Sequence, residues 1–245
     1  MKFSDRLIQA TREKKTPLIV GIDPRLASLP AALKPDSAKT YEQQAERFEI
    51  FGKAIIDVVH SLVPAVKPQA AFFEMLGPPG MTALFNVVRY AKAKGLLVIM
   101  DAKRGDIGST AQAYANAFLG DEANSAWGCD CLTVNPYLGD DSLQPFVERC
   151  IQTKSGIFVL VRTSNPGGKM LQARVSDGEA IYHTVGRYVQ DLSQADLGEN
   201  GYGEIGAVIG ATHPDQLFEL RQKMPNTIFL VPGFGAQGGS ATDIA

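Results

Sequence analysis

Short apolar runs recur along the chain, each followed by a stretch of helical period. Runs at 18–22, 62–66, 96–100, 131–134, 157–161, 205–209 and 228–231 predict seven strands. Amphipathic stretches at 41–60, 81–94, 109–120, 140–153, 177–194 and 213–224 predict helices between them. The runs are continuous rather than alternating, which indicates strands buried on both faces. Strand–helix alternation of that kind means a parallel sheet. No linker, composition shift or internal repeat divides the chain.

Two parallel architectures fit this pattern, an open doubly wound sheet and a closed barrel, and the residues that end the runs separate them. Asp23 follows the first run, Lys67 the second, Asp101 and Lys103 the third, Asn135 the fourth, Thr163 and Ser164 the fifth. The seventh leads into PGFGAQGG at 232–239. An open sheet concentrates its polar residues at one switch point, whereas a barrel gathers all its strand ends at one mouth. A (β/α)8 TIM barrel is expected. Only seven strands are counted before the sequence stops at Ala245, and a seven-stranded remnant would leave apolar edges uncovered. The expectation is one barrel domain over 1–245, C-terminally incomplete, with the eighth strand missing from this chain.

With 245 residues, 45% of them hydrophobic, the chain can bury one sizeable core. A net charge of −2 gives no reason to expect nucleic acid or an anionic membrane as partner. No apolar run approaches the roughly 20 residues of a membrane span. The polar, periodic start MKFSDRLIQATREKK does not read as a secretory signal. Cys129, Cys131 and Cys150 lack paired metal-ligand spacing, and His60, His183 and His213 are scattered. Reduced thiols, a cytoplasmic location and no metal site are expected.

Candidate chemistry concentrates in LLVIMDAKRGDIGST, residues 96–110. A buried run ends there in Asp101, Lys103, Arg104 and Asp106. Positions two apart on a strand share a face, so Asp101 and Lys103 should stand side by side, while Asp106, beyond Gly105, projects elsewhere. Charges at the end of a buried strand are costly unless paired or used. Lys67 after a neighbouring run adds a second cation. Asp23 before Pro24 is a candidate, although a turn alone would also use it. Ser164 lies in a Ser-Asn-Pro-Gly loop, and the glycines of PGFGAQGG could present backbone N–H groups to a phosphate.

DAKRGDIGST, together with GIDPR (21–25), AVKPQAAFFE (65–74), RTSNPGG (162–168) and VPGFGAQGG (231–239), resembles the motif set of orotidine 5′-phosphate decarboxylases, in the family's order. The TSNPGGKMLQ form and the Pro-rich insert after Asp23 resemble its larger bacterial, type 2 branch. The resemblance implies cofactor-independent decarboxylation of orotidine 5′-phosphate to UMP in pyrimidine biosynthesis. It implies an alternating array of Lys67, Asp101, Lys103 and Asp106, with Lys103 stabilising and then protonating a C6 carbanion. It also implies Asp23 and Lys67 on the ribose hydroxyls, Ser164 on the pyrimidine amide edge, and Gly235 and Gln237 at the phosphate. A homodimer is implied, with Asp106 and Thr110 contributed across the interface. The family's phosphate-binding arginine after an eighth strand has no counterpart in the sequence, and Arg221 on a predicted helix is no substitute. Two alternatives stand beside this reading. One is a magnesium-dependent sugar-phosphate decarboxylase of the same superfamily, such as one acting on 3-keto-gulonate 6-phosphate, although those carry an acid where Lys67 stands. The other is a non-catalytic protein or fragment that binds a phosphate ligand.

Overall fold

The computed structural model describes residues 1–34, 39–212 and 214–233. Helix α1 (Phe3–Lys14) precedes a regular alternation. This runs β1 (Ile19–Ile22), α2 (Tyr41–Val59), β2 (Ala65–Pro68), a short α3 (Ala70–Glu74), α4 (Gly77–Ala93), β3 (Leu97–Arg104) and α5 (Gly108–Phe118). It continues through β4 (Cys131–Val134), α6 (Asp140–Thr153), β5 (Gly156–Arg162), the hairpin β6 (Val175–Ser176) and β7 (Glu179–Ala180), α7 (Ile181–Ala195), β8 (Ile205–Ile209), α8 (Pro214–Lys223) and β9 (Phe229–Leu230).

The seven sheet strands stand in the order β1-β2-β3-β4-β5-β8-β9, following the chain without a reversal. A doubly wound sheet starts in the middle and reverses, so this order is that of a (β/α) barrel. The chain divides into two compact units, one of Arg6–Ala102 with Asn116–Leu132, the other of Met1–Asp5, Lys103–Ala115 and Thr133–Ala245.

In the first unit β1, β2 and β3 pair in parallel, with Gly21 opposite Lys67 and Val66 opposite Val98. Helix α2 begins with a capping box. The Thr40 hydroxyl accepts from Gln43 N–H, and the Gln43 side chain accepts from Thr40 N–H. Its buried face of Ala45, Phe48, Gly52 and Ile56 meets α4. A Cβ on Gly52 would lie 2.8 Å from Val87 Cγ2, so the small residue sets how closely the two helices approach. Phe48 packs edge-on against Phe73, while Trp127 stacks on Phe118 and meets Phe85 edge-on, all as packing residues. Asp130 accepts from Val98 N–H at the start of β3 and pairs with Lys92 and Arg6.

In the second unit β5, β8 and β9 pair in parallel, and every residue of β8 is buried. Phe3 meets Phe158 edge-on. Glu204, just before β8, accepts from Phe3 N–H at 2.9 Å and from the Ser4 hydroxyl at 3.0 Å, capping the first turn of α1.

Several boundaries differ from the expected ones. The second strand begins at Ala65, not Leu62, because Leu62 sits exposed in the turn that follows α2. Lys67 is therefore inside β2 rather than after it. Strand β3 extends through the charged residues to Arg104. Helix α4 starts earlier than 81, its prolines occupying the first turn, where no N–H partner is needed. Helix α3 and the β6–β7 hairpin were not expected at all. All three cysteines are buried, and burial pushes the Cys129 and Cys150 thiols well up, so they stay protonated packing groups. Among the described residues no helix is long and apolar enough to cross a membrane, and no cluster of three metal-ligating side chains occurs.

Burial raises Glu204 to about 7 from an ordinary 4.5, against the lowering pull of its hydrogen bonds to Ser4 and Phe3. Its protonated form is therefore favoured by folding. That contribution is fully present below 4.5 and is lost as pH rises through about 7. Glu204→Gln has no charge to bury. Denaturant unfolding of both proteins is expected to show the variant gaining on wild type, by up to roughly 3 kcal/mol, between about pH 5 and about pH 8.

Candidate active site

In the first unit the site grows from the register of β2 and β3. Ala65 and Val66 lie opposite Leu97 and Val98, and the isolated bridge between Gln69 and Asp101 continues the same offset past the end of β2. Period two then puts Lys67, Gln69 and Asp101 on one face. Lys67 Nζ lies 2.5 Å from Asp101 Oδ2, and Gln69 Nε2 donates to the same oxygen at 3.1 Å. Both charged side chains are largely buried, at 17% and 9% exposure, so neither is a solvated surface charge. Asp23 is exposed just beyond β1, with Oδ1 3.3 Å from where a Cβ on Gly21 would stand. Gly21 is the residue paired with Lys67, so the Asp23 carboxylate hangs over the strand position beside that lysine.

In the second unit Lys103 has φ 49°, a left-handed conformation that non-glycine residues seldom adopt. Period-two alternation therefore breaks at this residue, and the expected side-by-side placement of Asp101 and Lys103 does not follow from strand geometry. Lys103 N–H donates to Thr133 Oγ1 at 2.9 Å, and Thr133 is almost fully buried on β4. One residue on, Asn135 N–H donates to Arg104 O at 2.8 Å, and a Cβ on Gly105 would lie 2.9 Å from Asn135 O. The turn out of β3 thus packs directly on the end of β4, which only glycine at 105 permits. Arg104 lies over the Tyr114 ring at 5.6 Å. Asp106 accepts from Ile107 N–H at 2.8 Å, and Thr110 is exposed in the first turn of α5.

Ser164 is half-buried two residues beyond β5. Its carbonyl accepts from the Thr212 hydroxyl at 3.3 Å, and its backbone presses on Gly210, where a Cβ would come within 2.7 Å of Ser164 N. Gly235, Gln237 and His213 lie outside the described residues. Sequence reasoning passed over Gln69, Thr133, Arg162 and Gln172. Gln69 alone had a readable signal, its period-two spacing from Lys67.

Residues 16–245 match the model of the "Orotidine 5′-phosphate decarboxylase / HUMPS family". The chain belongs to this family. A relative from Rhodopirellula baltica named orotidine 5′-phosphate decarboxylase is 53% identical over 247 residues, covering 100% of this chain and 82% of that protein. One of the same name from Haloarcula marismortui is 43% identical over 242 residues, covering 98% and 79%. The solved OMP decarboxylase of Leishmania donovani superimposes with a TM-score of 0.75 at 36% identity, covering 96% of this chain and 80% of that one. The UMP synthase of the same organism superimposes at 0.78 with 38% identity, covering 99% and 47%. The fold is thus that of the family's barrel, and Asp101 and Lys103 lie in the irregular C-terminal part of β3, with Asp106 just past its end.

Thr133→Val keeps the side chain's shape but removes the acceptor for Lys103 N–H. Denaturant unfolding is expected to show a loss of about 1–2 kcal/mol, largely recovered in Thr133→Ser.

Proposed function

We propose that this chain decarboxylates orotidine 5′-phosphate to UMP, with Lys67, Asp101, Lys103 and Asp106 as the charged array that performs the reaction. The observation that carries this assignment is the buried Lys67–Asp101 pair on adjoining parallel strands, continued along the chain by a lysine in a strained conformation. Strain of this kind persists where surrounding structure enforces it, and it clusters at functional sites.

The chemistry needs such charges. Breaking the bond from C6 to the carboxylate releases carbon dioxide and leaves the electron pair on C6, with no adjacent carbonyl to accept it. Fixed positive charge must stabilise that carbanion, and preorganised electrostatics is the effective means. Lys103 supplies the charge and then transfers a proton to C6. Asp101 sits by the substrate carboxylate, where two like charges about 4 Å apart repel by about 4 kcal/mol at an effective dielectric of 20. That repulsion vanishes as carbon dioxide departs. Asp23 and Lys67 hold the ribose hydroxyls, Ser164 meets the amide edge of the pyrimidine, and Gly235 and Gln237 receive the phosphate. Charged side chains and backbone carry every step, so the proposal calls on no metal or organic cofactor. A lysine at 67 favours it over a magnesium-dependent sugar-phosphate decarboxylase.

The working form is inferred to be a cytoplasmic homodimer, with Asp106 and Thr110 completing the neighbouring subunit's site. Exposed apolar side chains in the same unit support this, with Ile107 at 56%, Tyr137 at 73% and Leu138 at 50% exposure. Apolar side chains gathered beside a functional loop are what a second subunit would cover.

Lys103→Ala is expected to fold, judged by circular dichroism, and to lose turnover of orotidine 5′-phosphate. Activity above roughly a few per cent of wild type would remove the lysine from the proton-transfer role. Chelator should leave wild-type turnover unchanged, whereas loss would favour the magnesium-dependent alternative. Mixed Asp106→Ala and Lys103→Ala subunits should regain activity through hybrid dimers. No recovery, with subunit exchange demonstrated, would refute the shared site.

A further inference from the structure

Strand β5 ends in Arg162, a side chain only 2% exposed. Its Nε donates to Gln216 Oε1 at 2.7 Å in α8, and its Nη1 donates to Gln172 Oε1 at 3.0 Å. The pairing of β5 with β8 shifts register between Leu160 and Arg162, and Gly210 N–H closes it by donating to Arg162 O at 2.7 Å. Thr163 therefore lies just past the end of the ladder. The Gln172 side chain takes the place of a strand partner there. Its Oε1 accepts from Thr163 N–H at 3.0 Å and its Nε2 donates to Thr163 Oγ1 at 2.7 Å.

This amide has one workable orientation. Flipped, its NH2 would face two N–H donors, those of Thr163 and Arg162, and its oxygen alone would meet the hydroxyl. The backbone of Gln172 is held as well. Its N–H donates to Gly168 O at 2.9 Å, and its carbonyl accepts from Tyr182 N–H at 3.0 Å at the start of α7. The residue directly after the clamped Thr163 is Ser164, pressed on its far side against Gly210 and Thr212.

We propose that Gln172 is a positioning residue that aims Ser164 at the pyrimidine through its two-point hold on Thr163, with Arg162 locking the amide. This rests on the reading of Ser164 as the group that meets the base edge. Neither Gln172 nor Arg162 needs to touch substrate. A serine that must meet a flat amide edge tolerates little error, since misplacement of about 1 Å at a distance from the chemistry can cost about 100-fold in rate.

The experiment is a double-mutant cycle on kcat/KM for orotidine 5′-phosphate, using wild type, Ser164→Ala, Gln172→Leu and both together, with folding checked by thermal unfolding. Gln172→Leu is expected to lower kcat/KM by about ten-fold or more and to add little in the Ser164→Ala background, because the clamp acts through the serine. Gln172→Glu is expected to stay near wild type. Its carboxylate accepts from the Thr163 and Arg162 N–H groups, and the Thr163 hydroxyl can turn to donate. Should Gln172→Leu fold poorly, the Gln172→Glu enzyme decides, since activity as low as that of Ser164→Ala would overturn the proposal. Full additivity of the two losses, or a near-wild-type Gln172→Leu beside a damaged Ser164→Ala, would overturn the clamp alone. An undamaged Ser164→Ala would overturn the assignment of Ser164 and, with it, this inference.

Discussion

Two opposite charges held out of water on adjoining parallel strands set the terms for this site. Removing a carboxylate and an ammonium from solvent costs several kcal/mol for each ion, and only close geometry with further hydrogen bonds offsets it. Lys67 and Asp101 meet both conditions through their 2.5 Å contact and the amide of Gln69. The pairing depends on register, because a slip of one residue would turn Lys67 to the other face. Register in turn depends on apolar residues such as Ala65, Val66 and Val98, all fully buried. The hydrophobic strands therefore do more than fill a core. They hold the two ionised groups at a spacing that neither would adopt alone.

Beyond Asp101 the backbone departs from regular strand. A left-handed lysine costs on the order of 1–2 kcal/mol relative to a right-handed one, and the surroundings enforce it. Thr133 accepts the Lys103 N–H, and Gly105 lets the turn press on the Asn135 carbonyl. The end of β5 shows the same division of labour. There Gly210 makes room for Ser164, while side chains from Gln172 and Thr212 take up backbone polar groups that the sheet no longer pairs. At both places a glycine permits a close approach and a side-chain hydrogen bond fixes what the glycine permits.

The N-terminal ends of the strands carry a different kind of polar group. Asp130 accepts a β3 N–H among two cations, and Glu204 caps α1. These carboxylates satisfy backbone donors. Carboxylates that take up backbone N–H groups at the N-terminal ends of strands are in keeping with a (β/α) barrel, a fold whose reacting groups gather at the other end.

Much of this was legible from residue order. The runs at 131–134 and 205–209 match β4 and β8 to the residue, because Asp130 and Asn135 bound the first and Glu204 and Gly210 the second. The choice of a barrel over an open sheet followed from Asp23, Lys67, Asp101, Asn135 and Ser164 each following a different apolar run, and the motif order pointed to the family. Other features had no local signal. Nothing in the DAKRG stretch marks Lys103 as left-handed, since that conformation comes from Thr133 and Asn135, some thirty residues away along the chain. The placement of Lys67 within β2 was decided by pairing with β1, and the role of Gln172 by where its loop returns to Arg162. Sequence determined which residues are apolar, which can ionise and in what order they come, because those are properties of the residues themselves. Which oxygen meets which hydrogen was decided by tertiary structure alone, because hydrogen bonds and ion pairs depend on distances that only packing creates.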